Sequence, residues 1–64
     1  MTESEKYKFF ASLLGFYHKD KQFYNEQVAD LTAKEIEEFS EYVQFKNSEM
    51  KIRLAQLAAI IKAN

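Results

Sequence analysis

His18 is the only imidazole in the 64-residue chain, so acid–base or nucleophilic chemistry would have to be built on it. A histidine base works when it sits beside a hydroxyl nucleophile and is itself oriented by a carboxylate. Asp20 is close in sequence, but two positions along a helix lead to a different face. His18 therefore reads as a polar surface residue. Glu37, Glu38 and Glu41 form an acidic cluster at helical spacing. No histidine joins them, and acids near a helix start are ordinarily solvated and complement the macrodipole. The chain has no Cys, which removes disulfides and thiolate metal ligands. It also lacks a Gly-rich phosphate loop and an Asn-x-Ser/Thr acceptor. The expectation is a protein that is not an enzyme, with no catalytic residues, metal site, cofactor or small-molecule substrate.

The elements that would position any site follow from punctuation. There is no Pro and one Gly, which removes the usual turn chemistry of an all-β fold. Thr32-Ala33-Lys34-Glu35 fits a capping box, with Leu31 and Ile36 as the matching hydrophobic staple. A helix starting near 33 is predicted. Thr2-Glu3-Ser4-Glu5 is a second box, weakened by its place at a chain end. Ile36, Phe39, Val43, Met50, Leu54, Leu57 and Ile61 fall within roughly 60° of arc at 100° per residue. One stripe over 36–61 predicts a helix of about 33–62, about 45 Å long.

In the first half, Phe9-Phe10, Phe16-Tyr17 and Phe23-Tyr24 recur every seven residues, about two helical turns. Tyr7, Leu13, Leu14, Val28 and Leu31 widen the band. The register runs through Gly15 and the polar stretch His18–Gln22, favouring one helix over about 3–30. The alternative breaks the chain near Gly15 or at His18–Asp20, with Asp20 as an N-cap, and gives three short helices. The preferred fold class is all-α: an antiparallel two-helix hairpin in a single domain, 1–64, dimerising into a helical bundle. The length, the Met1-Thr2 and Glu5-Lys6 start and the turn near Asp30 resemble the Rop family of plasmid copy-control hairpins. That resemblance implies a hairpin that dimerises into a four-helix bundle. The RNA-binding face of that family needs polar and basic residues along the first helix. Phe, Tyr and Leu dominate here, and no functional residue is carried over.

Size and charge narrow the function. A domain this small buries only about 60% of its unfolded surface and is marginal alone. Small scaffolds compensate with disulfides, metals or oligomerisation, and without cysteine self-association or a partner is the natural supplement. The formal charge of −1 lacks the basic excess of a dedicated nucleic-acid binder. The apolar content of 47% excludes a disordered acidic tail. The apolar run Phe9–Phe16 is far short of the ~20 residues of a membrane helix. Glu3 and Glu5 spoil the basic start of a secretory signal, and no small-x-small site follows. The chain reads as intact and cytoplasmic.

Charge is also unevenly placed. Lys34–Glu49 holds five acids and two bases, whereas Met50 onward holds three bases and no acid. This complements the second helix's own macrodipole. It equally suits antiparallel pairing of two copies, an arrangement that sets orientation more than stability.

The surplus apolar rows carry the functional expectation. Phe9, Phe16 and Phe23 lie about 100° round from the centre of the first helix's main stripe. Phe45 and Ile52 lie opposite the 36–61 stripe, with Ala59 continuing the row and Tyr42, Glu49 and Gln56 around them. Soluble monomers seldom leave such rows bare. They would serve a homodimer, a different protein, or a third helix within one chain. The candidate protein-binding residues are Phe45, Ile52, Phe9, Phe16, Phe23 and Tyr42. The expected function is a small regulatory, adaptor or inhibitor protein of the bacterial or phage type, acting through apolar helix faces. The alternative is a small nucleic-acid-binding regulator using Lys6, Lys8, Lys19 and Lys21 among the aromatics.

Overall fold

A computed structural model of the protein describes residues 2–64, and these are all-helical. Four helices follow in order: α1 (Glu3–Lys19), α2 (Lys21–Ala29), α3 (Ala33–Val43) and α4 (Ser48–Ala63). They fall into two compact units, the first ending at Asp30 and the second spanning Leu31–Asn64. Among the described residues there are neither two long helices nor three short ones. Each of the two expected helices is divided once.

In the first unit, Thr2 caps α1. The Glu5 N–H donates to Thr2 Oγ1 at 3.2 Å, and the Thr2 hydroxyl donates to Glu5 Oε1 at 3.0 Å. The glutamate thus takes the hydroxyl proton, where a full box would use the backbone N–H. Gly15 passes unbroken through α1. The break comes at Asp20, the residue named in the rival reading. Its backbone lies at φ −150°, ψ 84°. Its N–H donates to the Phe16 carbonyl at 2.8 Å and closes α1. Its carboxylate accepts the Phe23 N–H at 3.1 Å and opens α2. One side chain here satisfies a donor that a helix start would otherwise leave orphaned. Phe10 and Leu13 of α1 and Tyr24 and Val28 of α2 are buried.

The second unit begins as the sequence predicts. Thr32 and Glu35 form the reciprocal capping box: Glu35 N–H donates to Thr32 Oγ1 at 3.2 Å, and Thr32 N–H to Glu35 Oε1 at 2.9 Å. α3 then ends at Val43. The Lys46 and Asn47 N–H groups both donate to the Val43 carbonyl, at 2.9 and 2.8 Å. Asn47, in extended conformation, caps α4 by accepting the Met50 N–H at 3.1 Å. The expected helix of 33–62 is therefore corrected to two helices joined through Gln44–Asn47. Their contact is intimate, and Lys62 near the end of α4 is ion-paired with Glu37 in the first half of α3. An αα-hairpin does exist, but it lies wholly within 33–63. The stripe expected to face another helix folds back on itself instead. Ile36, Phe39 and Val43 are buried on α3, and Met50, Leu54 and Ala58 on α4. Ser40, buried among the α3 residues, donates its hydroxyl to the Glu37 carbonyl at 2.6 Å and leaves no polar atom stranded.

Candidate protein-binding surface

Phe45 is 93% exposed and sits in the turn between α3 and α4. This corrects its expected position on a continuous helix, two turns from Ile52. The cap at Asn47 separates the two residues, so they do not form one row. Ile52 lies on α4 and is 54% exposed; the 100° count puts it on the side away from Met50, Leu54 and Ala58. Tyr42 is half-buried. Its ring stacks on buried Phe39 with centroids 6.4 Å apart, and Lys46 Nζ lies 5.2 Å from its centroid. Such a cation over a ring is held by the ring's quadrupole.

On the first unit, Phe9 is half-buried and tilted against Phe10 at 6.1 Å. Phe16 and Phe23 are each partly exposed, and their rings meet edge to face at 4.7 Å. Tyr17 and Tyr24 repeat that contact at 5.1 Å, and Lys21 Nζ sits 4.4 Å from the Tyr17 ring centroid. Edge-to-face pairs stabilise beyond the area they bury. Tyr24 is the interior member, and burial, then the neighbouring Tyr17, pushes its phenol pKa up to about 12. Beside Phe16, a shallow groove of about 220 Å³ is lined by Ser12, Gly15, Phe16 and Lys19. Nothing lies within 4 Å of where a Gly15 Cβ would stand.

The exposed apolar set is wider than the expected one. Tyr7, assigned to the α1 band, and Ile61, assigned to the long stripe, are both substantially exposed. Ile60, 60% exposed, was in neither group. Its signal was present in the sequence: on α4 it turns well away from the Met50–Leu54–Ala58 side by the same angular count. Ile61 lies near the final turn, where helices fray and cover is lost.

The residues weighed for chemistry do not converge. His18 is exposed and its ring stands edge-on to Tyr17 at 5.3 Å. Glu37 is engaged by Lys62, and Glu41 is exposed. Among the described residues, no three His, Cys, Asp or Glu side chains are placed to hold a metal ion. No described helix is long and apolar enough to cross a membrane. Compared with family models, with curated proteins and with solved structures, the chain matches none.

Proposed function

We propose that this chain is a small, non-enzymatic protein-binding module of the regulatory, adaptor or inhibitor kind. It works in the cytoplasm, self-associates into a helical bundle and uses Phe45, Ile52 and the partly exposed Phe16–Phe23 pair as its contact residues. The observation that carries this reading is Phe45. A phenylalanine 93% exposed in a turn contributes nothing to its own unit's core. Aromatic side chains of this kind dominate the energetics of interfaces. Ile52 and Ile60 on α4 add apolar surface that α3 leaves uncovered. The alternative, a nucleic-acid-binding regulator, would draw on Lys6, Lys8 and Lys19 of α1 and Lys21 of α2.

Sedimentation equilibrium at two salt concentrations tests the reading. Association through apolar contacts persists as salt rises, and Phe45→Ala weakens it. Binding of a labelled oligonucleotide that falls steeply with salt would favour phosphate contacts and the alternative.

A further inference from the structure

We propose that the occupant of the α1 groove is a second copy of this chain, presenting Phe45. This rests on the self-association reading above and specifies its contact. The groove of about 220 Å³ is lined by Ser12, Gly15, Phe16 and Lys19. The groove is shallow and open on its outer side, so it offers a phenyl ring a seat against the Phe16 ring, not an enclosing cavity. Gly15 keeps the site open, because nothing else occupies the space where its side chain would begin. Phe16 supplies an aromatic wall, and Phe23 braces it edge to face from α2.

The knob matches that seat in shape and in charge. Phe45 is the most exposed large apolar side chain described. It projects from the short turn between α3 and α4. Glu41, four residues before it, is exposed, and its carboxylate has no hydrogen-bond or ion-pair partner among the described residues. Lys19 on the groove likewise has no such side-chain partner. The cation next to Phe45, Lys46, is drawn over the Tyr42 ring. The unit that carries the aromatic knob thus offers an available acid, and the aromatic groove offers an available base. A contact of this knob-to-groove type closes into a reciprocal dimer or propagates from copy to copy.

A mixing experiment tests the pairing. Phe45→Ala keeps the groove and loses the knob, whereas Gly15→Trp fills the groove and keeps the knob. Each variant alone is expected to associate at least about thirty-fold more weakly than wild type, the loss typical of an interface anchor. Mixed in equal amounts, they should form a one-to-one species in sedimentation, since an intact knob again meets an intact groove. Circular dichroism confirms that both are folded; if Gly15→Trp loses helix, Ser12→Phe blocks the same groove. A folded mixture that shows no mixed species overturns the inference, as does Phe45→Ala that associates like wild type. Either result leaves a self-associating wild type in place. A wild type that stays monomeric removes both this inference and the self-association reading.

Discussion

The rings of Phe16 and Phe23 meet with centroids 4.7 Å apart, although the helix between them is broken at Asp20. Residues seven apart on a straight helix are separated by about 10.5 Å along its axis. The bend closes that distance, and it does so twice, because Tyr17 and Tyr24 meet one position later at 5.1 Å. The break therefore helps to make the aromatic cluster of the first unit.

Removing the cap should loosen that cluster. Asp20→Ala withdraws the acceptor for the Phe23 N–H and is expected to cost about 0.5–2 kcal/mol. Cross-peaks between the Phe16 and Phe23 rings in nuclear Overhauser spectra should weaken with it. Unchanged melting and unchanged cross-peaks would mean that Asp20 does not hold the bend.

The caps of the second unit should be of similar worth. Thr32→Ala and Asn47→Ala each remove an N-cap acceptor, at about 0.5–2 kcal/mol in thermal or urea unfolding. Thr2→Ala should cost less, because its cap is an exposed, incomplete box in which Glu5 takes the hydroxyl proton and leaves the backbone N–H aside. If Asn47→Ala were neutral, α3 and α4 would be free to fuse into the long helix that the apolar stripe suggests.

Gly15→Ala is expected to stabilise the chain by about 0.4–1 kcal/mol. The position is helical and a methyl group meets nothing there, while alanine restricts the unfolded chain. Urea unfolding read by circular dichroism gives the sign directly, and a loss of stability would contradict the open space described.

Periodicity and the caps at Thr2 and Thr32 are legible in the sequence, and Asp20 is legible as the cap of the alternative. Thr32-Ala33-Lys34-Glu35 combined a capping box with a staple, and the helix begins where those signals place it. The buried positions Ile36, Phe39, Val43, Met50 and Leu54 were also legible. Their connectivity was not. Val43 and Met50 are seven apart, so a turn between them preserves the register of a continuous stripe. Angular counting cannot separate one long helix from a hairpin whose halves face each other. The signal that separates them is Asn47, whose side chain can cap a helix without Gly or Pro nearby. Asp20 offers the same signal in the first half, where the heptad outweighs it, although the cap is the feature the fold uses. For the contact surface, exposure of Ile52 was legible as an angle, but Phe45 owes its exposure to the turn and not to a helix face.

Tyr24 gives the chain an alkaline limit. Its phenol is raised to about 12 in the fold from a usual value near 10. Well below pH 10 the phenol is neutral in both folded and unfolded chains and adds no pH dependence. Between pH 10 and 12 the unfolded chain releases the proton first, so stability falls as pH rises. A loss of about 1–3 kcal/mol over that window is expected, and Tyr24→Phe should abolish this part of it in pH-dependent urea melts.

Phe39 and Phe45 should behave as opposites. Phe39 is fully buried, and Phe39→Ala should cost about 3–5 kcal/mol, enough to threaten folding of so small a chain. Phe45→Ala and Ile52→Ala should change the stability of a dilute sample by no more than about 0.5 kcal/mol while weakening assembly. Unfolding by either exposed-site variant would place that residue in a core.

Self-association is read from the mass of the wild-type chain in sedimentation equilibrium across the micromolar range. A self-associating binding module predicts an average mass that climbs with concentration, and a melting temperature that climbs alongside it by mass action. A folded species that remains at the monomer mass at every concentration, with a constant melting temperature, would contradict it.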